Sequence, residues 1–412
     1  MISGKAKCGL RYAVKRCGST VGYCSLSTKC GTRVENGYHN GIAHFTEHTI
    51  FKGTAHKSAF VINSYLERLG GELNAYTTKE EIVLHATVLK EDLSKAGSLL
   101  MELATCPTFP EDEIRTEQSV VIDEIKSYKD SPSDDVYDRF EERIFANHPL
   151  GKPILGSIAS VRKITSEELR RFVKDKFVPE KMAFTVVADL DEKVLEKLVL
   201  RLADKFFGSE ASAVGKDASP KLVKLVQPDS FDVTIDKHNH EVNAVIGGIA
   251  PSMYEEKDRF TTILMCNILG GPAANSILNE VLREKNGWVY GVECSYNQYS
   301  DTGLVTICLG CDKVNLEKCF SSIRKEIRKL KEVPLSEAKM KAGKKQLLGQ
   351  LAILNDNGET QCLNMGHGLL SFNRAASDEE ISEKIEAVTA QDIQEICQKI
   401  FDDEKMSRLI FL

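Results

Sequence analysis

Apolar runs long enough to cross a bilayer are missing from this sequence: nothing approaches the roughly 18 consecutive apolar residues that a membrane helix requires, so no membrane span is expected. Surplus positive charge is missing too. The chain carries 54 Lys and Arg against 60 Asp and Glu, a net charge of −6 with a pI near 5.9. A protein devoted to neutralising phosphate shows the opposite excess, and nucleic acid is not an expected partner. Cysteine itself is not scarce, at 12 residues, but ordered cysteine spacing is absent. The one close pair, Cys308-Leu-Gly-Cys311, has no second pair to complete a zinc site, so the thiols read as reduced, mostly buried small hydrophobes. Residues 1–16 lack the apolar segment of a secretory signal, and no acidic residue precedes Glu35. Lys5, Lys7, Arg11, Lys15 and Arg16 leave an organellar matrix as the alternative location, but the alternating run 10–14 reads as a first strand and a cytoplasmic home is expected.

What is present is an ordinary globular composition, 42% hydrophobic and 28% charged with a mean hydropathy of −0.23, in a chain about twice the length of a usual domain. The periodicity is that of an α+β protein, and it occurs twice. In the first half a helix ending at Gly53 is followed by a helical run 60–69, the turn Gly70-Gly71, strands 73–77 and 81–89 and a helix 91–104. An acidic helix then begins after Pro110. In the second half a helix 259–269 ends at Gly270-Gly271, 275–285 is again helical, and strands 289–296 and 303–309 lead to a helix 315–331 and another after Pro334. Pro110-Glu-Asp-Glu and Pro334-Leu-Ser-Glu lie 224 positions apart. A repeat of that length is a duplicated domain. The Ser-, Ala- and Gly-rich stretch 209–220 is the expected linker, between a first domain 1–208 and a second 221–412. In each half, the order of strands and helices predicts a sheet covered by helices on one face.

One segment carries chemistry. Residues 40–53 read NGIAHFTEHTIFKG, opening on cap-type residues and closing on a C-cap type glycine, so the interior is expected to be helical. His44 and His48 then stand one turn apart on one face, the spacing that lets two imidazoles reach a single Zn²⁺. Glu47 borders that face without having to coordinate, which gives the H-x-x-E-H order. A further ligand is sought in segment 111–128, where Ile114, Val121 and Ile125 form a core stripe and Glu117 and Glu124 lie seven apart beside it. An inward-pointing carboxylate needs a counter-charge, and a metal held by neutral histidines supplies one.

On these motifs the sequence resembles the pitrilysin and insulinase family of inverzincin zinc metallopeptidases. Within that family it is most similar to the β-subunit type of the mitochondrial processing peptidase and its compact bacterial relatives, over nearly the whole chain. The match of HFTEHTIFKGT implies one Zn²⁺ per chain, with His44 and His48 as ligands and Glu47 as general base. The third ligand implied is Glu124, 76 residues beyond His48, with Glu117 supporting the site. The segment GGELNAYTTKEE implies a strand beside the metal, where backbone groups around Asn74, Ala75 and Tyr76 bind an extended peptide as an added strand. In the second half Arg283 and Tyr290 match a pair implied to grip a substrate carbonyl and to stabilise the oxyanion.

The resemblance implies two homologous domains closing as a clamshell, and a peptidase acting on unfolded or short peptides. The second copy keeps no ligand set: its counterpart of the metal helix reads TTILMCN from Thr261, and Lys341 and Leu348 stand at the positions of Glu117 and Glu124. A homodimer is expected, or a heterodimer with a homologous subunit. The alternative function is a non-catalytic binding or structural subunit of a larger complex, but relatives of that kind typically lose the motif, which is intact here.

Overall fold

A computed structural model describes residues 1–208, 225 and 229–412; the expected linker 209–220 lies outside the described residues. The chain divides into two compact units, each drawing on both halves of the sequence. The first comprises the described parts of Met1–Lys126, Lys152–Lys221 and Ile353–Ala376; the second comprises those of Ser127–Gly151, Leu222–Ala352 and Ser377–Leu412.

The first unit is built on six strands: β1 (Ile2–Lys5), β2 (Arg11–Arg16), β3 (Val21–Thr28), β4 (Glu72–Thr77), β5 (Ile82–Leu89) and β6 (Met182–Ala188). Their order is β1-β2-β6-β3-β5-β4, with β2 and β6 parallel and every other pair antiparallel. Five helices of the first half follow its strands: α1 (Ile42–Ile50), α2 (Ala59–Glu67), α3 (Leu93–Thr105), α4 (Glu111–Asp130) and α5 (Pro132–Ile144). Alternation along β2, β3 and β6 sends Tyr12, Val14, Cys24, Leu26, Phe184 and Val186 to one face, where α3 and the helix Glu192–Phe207 cover them with Leu99, Leu103, Leu195 and Val199.

The sequence predicts helices on one face of the sheet; the opposite face is covered as well. Ala13, Ala183 and Val187 pack against Cys362, Met365, Leu369 and Leu370 of the helix Gly358–Phe372, which the second half of the chain contributes. Thr185 Oγ1 donates to the carbonyl of Cys362 at 2.8 Å, and a Cβ on Gly366 would sit 2.6 Å from Ser27 Oγ, so a side chain there would force the Ser27 hydroxyl to turn aside. Accordingly β6 is buried at every position, the pattern of a strand covered on both sides.

The second unit repeats the plan. Strands β7 (Asp232–Ile235), β8 (Val242–Ala250), β9 (Val289–Gln298), β10 (Gly303–Cys311) and β11 (Ser407–Phe411) are ordered β7-β11-β8-β10-β9, again with one parallel pair, β7 and β11. This is the first sheet without its β1 edge. One face carries Val242, Ala244, Val305 and Ile307 under Leu264, Phe320 and Ile396. Across the other lies α5, from the first half, placing Val136, Phe140 and Ile144 on Val245, Leu409 and Phe411. Gly358 lies 226 residues after Pro132, so the two borrowed helices are counterparts in the duplication. Among the described residues, no helix is long and apolar enough to cross a membrane.

Two local expectations are corrected. The helix at 44–48 stops at Ile50, and Gly53 pairs with Ser58 in a tight loop instead of capping it. The helical segment 275–285 is a π-helix over Asn279–Glu284, in which Lys285 N–H donates to Glu280 O five residues back; the extra residue per turn is invisible to a 3.6-residue periodicity.

Candidate metal centre

Helix α1 is fixed from both faces. Ile42, Ala43, Phe45 and Ile50 are wholly buried in the core of the first unit, and its N-terminus is held by a carboxylate from the preceding loop. Glu35, itself fully buried, accepts hydrogen bonds from Gly41 N–H and Ala43 N–H, both at 3.0 Å. The cap is therefore not Asn40. Gly41 takes φ 87°, and a Cβ there would meet Leu155 O at 2.7 Å. Burial pushes the Glu35 carboxyl up to about 7, against the two N–H donors that lower it.

With α1 so held, His44 and His48 project one turn apart, their ring centroids 4.6 Å from each other. Helix α4 buries Ile114, Val121 and Ile125 as the sequence predicts, and the same seating brings Glu117 and Glu124 to the histidines. Glu124 Oε2 lies 3.4 Å from His48 Nε2 and 3.8 Å from His44 Nε2. One ligand atom from each of the three residues falls within 4.8 Å of the others; among the described residues no other His, Cys, Asp and Glu group has such an arrangement. A tetrahedral ion with bonds of ~2.0 to 2.1 Å spaces its ligand atoms by roughly 3.3 to 3.4 Å. The donor set fits a divalent cation on a second ground: Glu124 Oε2 is buried without a hydrogen-bond partner and faces a ring nitrogen of each histidine.

The two histidines are electrostatically distinct. Burial and the neighbouring His48 lower the His44 pKa to about 4. At His48 burial also works against the charge, but the hydrogen bond to Glu117 and the nearby Glu124 carboxylate prevail and raise its pKa to about 9. Glu117 is buried; its Oε1 lies 2.9 Å from His48 Nδ1, and its Oε2 accepts from Lys52 Nζ at 2.7 Å. Burial opposes its ionisation, but these two partners hold its carboxyl below the ordinary range.

Glu47 borders the cluster. Burial raises its pKa above the usual carboxylate value, and Thr77 Oγ1 donates to its Oε2 at 3.2 Å. A cavity of about 510 Å³ opens beside it, lined by Glu47, His48 and Glu117 together with Phe51, Leu73 and Asn74. Asn74, Ala75 and Tyr76 lie on β4, the edge strand, which pairs with β5 alone. Arg283 and Tyr290 belong to the second unit, Arg283 exposed on the π-helix and Tyr290 at the start of β9. The Tyr290 hydroxyl donates to Asp312 Oδ1 at 2.8 Å, an interaction that raises its pKa. The helix Glu256–Gly270 buries Thr261, Leu264 and Met265 at the place of α1, without a ligand.

Three participants escaped the sequence reading. Glu35 acts from a loop, a placement no periodicity reveals. Lys52 was within reach, since it follows His48 by four residues and so faces the same side. Thr77 lies at the end of the strand already singled out.

Two family models match the chain, the insulinase (peptidase family M16) model over residues 13–158 and the peptidase M16 inactive domain over residues 163–347. A Rickettsia felis protein named as an uncharacterized zinc protease is 30% identical over 386 residues, spanning 94% of this chain and 91% of that protein. The chain belongs to the insulinase family. The Bacillus subtilis protein YmxG, also named as a zinc protease, is 28% identical over 382 residues, covering 92% of this chain and 90% of its own. In fold the chain is similar to a Helicobacter pylori protease, with a TM-score of 0.90 at 20% identity over 100% of this chain and 98% of the other. It is likewise similar to a peptidase M16 inactive domain structure from Pseudomonas fluorescens, with a TM-score of 0.88 at 18% identity over 100% of this chain and 97% of that one. In this insulinase-family chain the cluster of His44, His48 and Glu124 falls within the first matched region, and the helix Glu256–Gly270 falls within the second.

Proposed function

We propose that the chain is a zinc-dependent endopeptidase. The observation that carries this reading is the convergence of His44, His48 and Glu124 on one point, with the carboxylate of Glu47 beside them. Zinc, when held by these three residues, would acidify a water and polarise the scissile carbonyl. Glu47 is the general base: it takes the proton of the attacking water and passes it to the leaving amine, and its raised pKa suits a group that must both accept and release a proton. Glu117 holds the Nδ1 side of His48 and so fixes which ring nitrogen faces the ion.

Peptide recognition is proposed along the open edge of β4. An extended chain pairing with the backbone of Asn74, Ala75 and Tyr76 would lie alongside the cavity that holds Glu47, a mode open to unfolded or short peptides. For Arg283 and Tyr290 we propose the gripping of a substrate carbonyl and the stabilisation of the oxyanion, to be tested by Arg283→Ala and Tyr290→Phe in kcat and KM.

The decisive experiment for the function is Glu47→Gln assayed on a quenched peptide library, with zinc content measured in parallel. The expected outcome is full zinc content with turnover reduced by ~10²- to 10⁴-fold. Undiminished turnover removes Glu47 as the base. If the native protein shows no chelator-sensitive hydrolysis at all, the chain is a binding subunit instead.

A further inference from the structure

Two carboxylates of α4 meet the same histidine at its two ring nitrogens. Glu117 Oε1 is 2.9 Å from His48 Nδ1, while Glu124 Oε2 is 3.4 Å from His48 Nε2, and the two residues lie one heptad apart on one side of the helix. What separates them is what else holds each carboxylate. Glu117 Oε2 is taken by the ammonium group of Lys52 at 2.7 Å, whereas Glu124 Oε2 is buried with no donor of its own.

We infer that Lys52 is a positioning residue of the metal centre: it pins Glu117 behind His48 as a support, and so reserves the ion for Glu124. The inference rests on the zinc-peptidase reading above and extends it to a residue with no ligand or proton-transfer role. Lys52 lies just past the end of α1, four residues after His48, so one turn of chain supplies both a ligand and the cation that disciplines the competing carboxylate. Its charge also completes a balance. Glu47, Glu117 and Glu124 bring three negative charges, which Lys52 and the two positive charges of a zinc ion cancel. Without Lys52, a carboxylate with only 6% of its side chain exposed would keep a single partner, a costly state that reorientation toward the ion would relieve. A freed Glu117 would then crowd the ion and leave Nδ1 of His48 unsupported.

The test uses the full chain loaded with Co²⁺, whose visible absorption reports the ligand set independently of turnover, together with zinc-supported kinetics. The Lys52 side chain is 24% exposed and outside the helix, so Lys52→Met is expected to fold. Its Co²⁺ spectrum should shift, and its kcat should fall ~10- to 100-fold with KM little changed. Lys52→Arg, which keeps the charge, should restore both. Because Lys52 acts through Glu117, adding Lys52→Met to Glu117→Gln should cost nothing further. A Lys52→Met spectrum superimposable on the native one, a change in KM alone, or additive effects in the double variant would overturn the inference while leaving the peptidase reading intact. A native protein that takes up no Co²⁺ and cleaves no peptide would overturn that reading and this inference with it.

Discussion

Burial alone would make His48 a weaker base, but Glu117 at one nitrogen and Glu124 at the other raise its pKa to about 9 in the metal-free protein. Because the folded value lies above the ordinary 6.5, this proton stabilises the fold below pH 6.5, and the contribution is lost as pH rises through about 9; it amounts to at most ~3 kcal/mol. A metal requires the neutral ring, so the ion takes over from the proton. Zinc binding at pH 7.5 should therefore release about one proton from His48, measurable by calorimetric titration in buffers of differing ionisation enthalpy. His44, held near 4, is already neutral and contributes none. A release near zero would mean that His48 is already neutral before the metal binds, against the raised pKa. At this scale the sequence was legible where chemistry is periodic: helical spacing pairs His44 with His48 and sets Glu117 and Glu124 on one side of α4, while the choice of Glu124 as ligand is what the family resemblance implies. Glu35 and Thr77 do not, because a loop or strand residue reaches its partner through the fold and not through a period.

At the scale of single elements, the metal helix is held at its N-terminus by Glu35 and followed by a tight loop. Thr54 Oγ1 donates to Glu102 Oε1 at 2.6 Å, and Lys57 pairs with the other oxygen of that carboxylate, so the loop after α1 is tied to α3. Glu35→Ala would leave the buried N–H groups of Gly41 and Ala43 without acceptors at the positive end of the helix dipole. The expected cost is about 1 to 2 kcal/mol in urea unfolding, with weaker zinc binding because the histidine face loses its anchor. Unchanged stability would show that solvent satisfies these donors. The element boundaries themselves were largely legible, since α2, β4 and β5 coincide with their predicted spans to within one or two residues. The π-helix was not: Asn279–Glu284 has the composition of an α-helix and differs only in a hydrogen-bond pattern that side-chain periodicity does not record.

At the scale of the whole molecule, the duplication was legible and the exchange of helices was not. An amphipathic stripe such as Val136, Phe140 and Ile144 states that α5 has an apolar partner, but not which of two similar sheets provides it. The exchange predicts that the first half is not an autonomous domain. Residues 1–208 expressed alone would expose the face formed by Ala13, Ala183 and Val187 and lose the hydrogen bond from Thr185 to the Cys362 carbonyl. That fragment should unfold without a cooperative transition, and addition of the remaining chain in trans should restore one. A fragment that unfolds cooperatively and binds zinc stoichiometrically would show that the borrowed helix is dispensable.

The zinc-peptidase proposal requires two turns of α1 and one of α4 to converge on a single ion. It is tested most directly by anomalous diffraction at the zinc edge from crystals of the metal-loaded protein. One peak per chain is expected, ~2.0 to 2.2 Å from a ring nitrogen of His44, a ring nitrogen of His48 and an oxygen of Glu124. A peak ligated by Glu117 in place of Glu124, or no peak at these residues, would contradict it.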